Sequence, residues 1–191
     1  MTTQEKGIGG ARSIPRERER PGPINWPEEL STRDVSPAAG SAAAVAAGMG
    51  VALLIKLARR TRPQDIPGYN ALLGRLLKAR DRLLDLAEAD ASALRTWLST
   101  RKLDEDNPER LAAIMAVVQI PLEGAKICRT IRCEAEPLLT GGYRPARPDG
   151  EVGTQLLQTS QQSLRHLAQA NAPLLRDLSL AKTVKDRLAE L

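Results

Sequence analysis

Apolar and polar positions alternate along most of this chain with the period of an α-helix, and proline and glycine mark where one helix stops and the next begins. From Pro37 to Leu57, PAAGSAAAVAAGMGVALLIKL, no charge appears before Lys56. Wound as a helix, this run puts Gly40, Ala44, Gly48 and Ala52 on a ridge almost free of side chains, with Val45, Met49, Leu53 and Leu57 in the adjacent stripe. Another helix can approach such a ridge closely. The Pro-Ala-Ala-Gly-Ser turn that opens the run leaves unpaired backbone N–H groups, which suit an anion or a carboxylate.

Pro63, Pro67 and Gly68 then break the chain. Tyr69 to Leu98 reads as a long amphipathic helix, with Leu72, Leu73, Leu76, Leu77, Leu83, Leu84, Leu86 and Ala87 at i, i+3 and i+4 spacings. A polar loop, Arg101 to Asn107, ends in Asn107-Pro108-Glu109, which combines an N-cap, a first-turn proline and an early acid. Leu111, Ile114, Met115, Val118, Leu122, Ala125 and Ile131 give the following helix its apolar face. Pro121 interrupts that helix, so a kink is expected and the carbonyl of Val117 is freed. Leu138 to Gly150, LLTGGYRPARPDG, reads as a loop on which a site could be displayed. Val152 to Asn171 is predicted as a further helix, and Ala172-Pro173 separates it from a last amphipathic segment through Leu188.

The pattern therefore predicts an all-α fold, an antiparallel bundle of about five helices around a central Ala/Gly-rich helix. Residues 1–33 lack apolar periodicity and are expected to form a flexible arm, with Trp26 and Leu30 tacking its end onto a helical domain over 34–191. The Arg-Glu alternation from Arg16 to Arg20 reads as a solvated tail.

Composition narrows the function. Among 191 residues, 42% are hydrophobic, yet there are only two Trp, two Tyr and no Phe, so Leu, Ala, Ile and Val must build the core. The same scarcity removes base-stacking platforms, and the net charge of +5 is spread among interspersed acids and bases, so no nucleic-acid partner is expected. The uncharged run from Val35 to Ile55 is long enough to span a bilayer, but its Ala, Gly and Ser carry little insertion energy, and a buried helix is expected with no membrane partner. Cys128 and Cys133 lie five apart with no CxxC or Cys/His cluster, which reads as two free thiols in a reducing, cytoplasmic location, without a metal. No apolar leader core follows Met1.

Several stretches resemble one family. Ser36-Pro37-Ala38-Ala39-Gly40-Ser41-Ala42-Ala43-Ala44 followed by Gly48-Met49-Gly50 is similar to the opening of the cyclodeaminase/cyclohydrolase family, whose members begin on Pro-Gly-Gly-Gly-Ser-Ala-Ala. Here Ala38 and Ala39 replace two glycines, and alanine disfavours positive φ and adds methyl groups beside the backbone. Glu88-Ala89-Asp90-Ala91-Ser92-Ala93-Leu94 resembles the family's acidic-Asp-x-x-Ala-aromatic motif, with Leu94 in the aromatic place. Ile120-Pro121-Leu122 resembles its Val-Pro-Leu, Asp149-Gly150 the end of its Ser-Asp-Ala-Gly loop, and Asn171 the second asparagine of an Asn-x-x-x-Asn pattern whose first place holds Leu167.

The resemblance implies a homodimeric helical bundle that acts on a tetrahydrofolate one-carbon derivative, by cyclodeamination of formiminotetrahydrofolate or hydrolysis of methenyltetrahydrofolate. No cofactor beyond that folate substrate is implied. Asp90 and Asp149 are the implied catalytic proton carriers, and Gly40, Ser41, Asn171 and Arg144 the implied substrate-binding residues. On spacing alone Asp90 is a helix carboxylate, Asp149 an N-cap, Arg144 and Arg147 loop charges, and the single histidine, His166, an exposed or structural side chain without a catalytic partner. The alternative is a diverged member that serves as a non-catalytic binding or assembly module.

Overall fold

The computed structural model describes residues 25–175 and 177–190, and every regular element among them is helical. In chain order these are α1 (Trp26–Leu30), α2 (Ala39–Arg60), α3 (Tyr69–Thr100), α4 (Pro108–Glu134), α5 (Glu136–Gly141), α6 (Arg147–Asn171) and α7 (Leu178–Ala189), with 3₁₀ turns at Pro63–Asp65, Arg144–Ala146 and Ala172–Leu174. The long helices α2, α3, α4 and α6 form an antiparallel bundle. Each packs on two neighbours, α2 lying between α3 and α6 and reaching α4 across the middle. The Ala/Gly-rich helix is the most thoroughly buried of them, with Ala47, Val51, Leu54 and Leu57 sealed from solvent.

Local chemistry sets most boundaries. Asn107 caps α4 as expected, its side-chain oxygen accepting from the Glu109 and Arg110 N–H groups. Gly68, with φ +67°, supplies the left-handed turn into α3 that other residues rarely adopt. Asp177 caps α7 in the same way as Asn107 caps α4. Trp26 packs against the buried Ala44, Val45 and Ala87, which fastens α1 to the α2–α3 seam. Residues 1–24 of the expected arm, including Arg16 to Arg20, lie outside the described residues.

The expected Leu138 to Gly150 loop is mostly helical instead. Leu138 to Gly141 belong to α5, and α6 already begins at Arg147. The reason is Pro148: its fixed φ suits the first helical turn, so it starts a helix that its presence in a polar stretch disguised. Asp149 is consequently the third residue of α6 and not its N-cap, a position held by Ala146.

The small-residue ridge works along most of its length. Gly40, Ala44 and Gly48 face α3, where Leu84 sits so near that a Cβ on Gly48 would lie 3.0 Å from it. Ala52 is exposed, and so is Met49, at 58%. A close backbone-to-backbone crossing lies on another face, where Gly50 meets Gly153 of α6. A Cβ on either would approach the other's carbonyl oxygen to 2.7 or 2.6 Å. By length and composition alone Ala39–Arg60 and Pro108–Gly141 could cross a membrane, and 61% and 50% of their most apolar stretches are buried inside the bundle.

Candidate functional site

The start of α2 has no side-chain cap of the kind that Asn107 and Asp177 give α4 and α7, because Ala38 at the cap position has no donor or acceptor beyond its backbone. Its backbone there is extended, φ −137° and ψ −161°, so alanine is accommodated without strain. The missing cap comes from another helix. Asp90, on α3, lays its carboxylate over the bare backbone of Gly40, where a Cβ would lie 2.3 Å from Oδ1 and 2.6 Å from Oδ2. Ser41, wholly buried, donates its hydroxyl to Asp90 Oδ2 at 3.0 Å, and its backbone N–H favours the same carboxylate. The anion slot read from the turn is thus filled by the protein's own aspartate.

Two opposed effects act on Asp90. Burial disfavours its charge and dominates, raising its pKa above the ordinary carboxylate value, while the two Ser41 donors pull it partway back. No ion pair offsets the burial among the described residues. A half-buried carboxyl whose pKa is raised and which keeps a hydroxyl donor is a candidate to accept and release a proton. The turn around it is clamped as well: Ser36 Oγ donates to the Ala91 carbonyl at 2.7 Å and accepts from Arg95 Nη1 at 3.0 Å. Neither Ser36 nor Arg95 carries a spacing signal that would have marked it in the sequence.

Asn171 lies at the end of α6 and has acquired a structural partner. Its Nδ2 donates to the Val117 carbonyl at 2.8 Å, the very group that Pro121 leaves without its helical bond. The amide oxygen takes no part in that bond. Beside it in the last turns of α6, Gln162, Ser163, His166 and Leu167 line a groove of about 420 Å³ whose other wall is Ala39, the first residue of α2.

Asp149 and Arg144 lie elsewhere. Asp149 pairs with Lys56 Nζ at 2.9 Å near the far end of α2. Ser41 and Lys56 are separated by roughly 22 Å along that helix, so one chain does not bring Asp90 and Asp149 together. Arg144 is exposed in the 3₁₀ turn at the Asp149 end, and its neighbour Arg147 is engaged by the carbonyls of Gly142 and Thr140. Lys56, the first charge after the apolar run, belongs to this second cluster, and only its position in that run hinted at it. No group of three or more His, Cys, Asp or Glu able to hold a metal occurs among the described residues.

Comparison with known proteins agrees with the bundle. Residues 25–190 match the family described as Formiminotransferase-cyclodeaminase. The formimidoyltransferase-cyclodeaminase of Sus scrofa is 31% identical over 144 residues, which are 69% of this chain and 27% of the pig protein. The chain therefore spans about a quarter of the length of that curated relative. The crystal structure of formiminotetrahydrofolate cyclodeaminase from Thermotoga maritima superposes with a TM-score of 0.80 over 86% of this chain and 85% of that one, at 21% identity, a likeness of fold. With the family match extending across the entire bundle, the chain belongs to the formiminotransferase-cyclodeaminase family.

Proposed function

We propose that this chain is a folate one-carbon enzyme that closes the formimino group of formiminotetrahydrofolate onto a neighbouring nitrogen with release of ammonia, or hydrolyses the methenyl bridge of methenyltetrahydrofolate. The observation that carries this reading is the Gly40–Ser41–Asp90 cluster. Either reaction moves a proton off an attacking nitrogen or water and onto a departing nitrogen, and Asp90 is a half-buried carboxyl whose pKa burial raises while Ser41 donates to it. Gly40 keeps the backbone bare enough for the carboxylate to sit there. Asn171, one turn beyond Leu167 on α6, keeps an amide oxygen outside its bond to Val117 and is the proposed contact to a bound ring.

The working unit in this proposal is a homodimer. Met49, at mid-length on α2, is exposed between Leu84 of α3, which packs beside Gly48, and Leu156 of α6, which packs beside Gly50. A two-fold axis at Met49 would pair the α2 helices antiparallel and set each Asp90 near the partner's Lys56 and Asp149. In that arrangement Arg144 and Asp149 would serve the copy opposite.

Absorbance assays of the purified protein with each of the two folates test the activity. Turnover of either supports the proposal and identifies the reaction. Absence of both turnover and folate binding would leave the chain as a binding or assembly module. Light scattering on the native protein and on Met49→Glu tests the dimer, since the variant is expected to run at half the native mass.

A further inference from the structure

We infer that His166 is a second catalytic residue of this chain, transferring a proton to or from folate bound in the groove at the start of α2. The inference rests on the proposed folate reading and goes beyond it in assigning the sole imidazole. Sequence spacing gives His166 no partner, but the fold places it in the groove whose other wall is Ala39, immediately before the Gly40–Ser41 backbone that carries Asp90. Asp90 flanks the first turn of α2 from α3, and His166 flanks it from α6. A ligand seated in the groove against Ala39 would have the imidazole on its α6 side and the Gly40–Ser41 backbone next along α2.

Proton counting calls for more than one carrier, and His166 is the one that the chain itself places beside the head of α2, since Asp149 pairs with Lys56 and could reach that end only from the copy opposite. Starting from the neutral formimino group, the attacking nitrogen uses its lone pair to form the new C–N bond, and the C=N pair moves onto the imino nitrogen. The attacking nitrogen must lose one proton. The imino nitrogen, already carrying one hydrogen, must gain two before its bond to carbon breaks and ammonia leaves. One of those two protons is the one taken from the attacking nitrogen, and the other is drawn from outside the substrate. A single carboxyl holds only one proton at a time. Asp90, biased toward its neutral form by burial, delivers the external proton, and His166 relays the internal one. Ala39, one of the two alanines that depart from the family's opening sequence, lines the same groove as the imidazole.

His166 is exposed and makes no part of the buried core, so its replacement should leave folding intact. The test is carried out on the full chain with whichever folate the native protein converts. His166→Ala and His166→Gln are expected to lower kcat by about 100-fold or more with KM nearly unchanged. Added imidazole should enter the open groove and restore part of the rate to His166→Ala. A kcat within about threefold of native, or a loss that imidazole leaves untouched, would overturn the role of His166 while the folate reading stood. A native protein that converts neither folate would overturn both.

Discussion

Gly40→Ala isolates the cluster at the head of α2. A Cβ at residue 40 would lie 2.3 Å from Asp90 Oδ1, 2.5 Å from Cγ and 2.6 Å from Oδ2, whereas ordinary contacts begin at 3.4 Å. The carboxylate must therefore retreat by about 1 Å, and it cannot do so while accepting both Ser41 donors. Losing a hydrogen bond to a charged group costs about 1.5–3 kcal/mol. Alanine returns about 1 kcal/mol, because glycine is that much poorer inside a helix. The net loss of stability should be about 0.5–2 kcal/mol, small enough for the bundle to remain folded.

Activity should respond far more. A displacement of about 1 Å in a catalytic group can cost on the order of 100-fold in rate. Urea melts give the stability change, and initial rates with the converted folate give the kinetic one. Ser41→Ala supplies the graded control: it removes the hydroxyl donor but retains the backbone N–H, so its rate should fall between native and Gly40→Ala. If Gly40→Ala melted like the native protein and also turned over at the native rate, the placement of Asp90 on the Gly40 backbone would be refuted.

Other consequences can be checked without substrate. Asn171→Ala should cost about 1–3 kcal/mol by orphaning the Val117 carbonyl, and in the Pro121→Ala background, where residue 121 regains an N–H, that cost should largely vanish in a double-mutant cycle of urea melts. Because the folded pKa of Asp90 is raised, its contribution to stability is fully present below the ordinary carboxylate value and is lost as pH rises through the folded value; Asp90→Asn should lack this component, so melts of the two proteins at several pH values should diverge across that window. Burial pushes the Cys128 thiol up to about 12, so a thiol reagent at pH 8 should modify Cys133 alone in the native chain and both cysteines in urea.

The features legible in the sequence are those decided by neighbours along the chain. Asn107, Pro121 with its freed Val117 carbonyl, and the apolar faces of the long helices all follow from contacts within about one turn. Pro148 misled because proline breaks a helix in its middle and starts one at its beginning, and only the tertiary position of α6 decides which. The Gly50–Gly153 crossing was invisible for a different reason: it joins two segments about 100 residues apart, and neither glycine is distinguished locally from those on the ridge facing α3. The candidate site divides in the same manner. The turn announced an anion slot and the helix announced Asp90, but their union at 3.0 Å through Ser41 is a property of how α2 and α3 pack.

That union gives one carboxylate two roles with opposite electrostatic demands. As the cap that Ala38 cannot provide, Asp90 is most effective when charged, facing the unpaired N–H groups and the positive end of the α2 dipole. As a buried group with no cation in ion-pair contact, it is most stable when neutral. Neither demand prevails completely, since burial raises the pKa and Ser41 restrains the rise. A shift in that direction, toward easier protonation, is the one a proton carrier needs, because a carboxylate fixed in its charged form could not deliver a proton within a catalytic cycle. The alanines at 38 and 39 leave this balance alone: residue 38 is extended and residue 39 already helical, so neither position demands a glycine backbone. Of the two, only Ala39 borders the groove that His166 lines, so a substitution there acts on the room for a ligand and not on the backbone that carries the carboxylate.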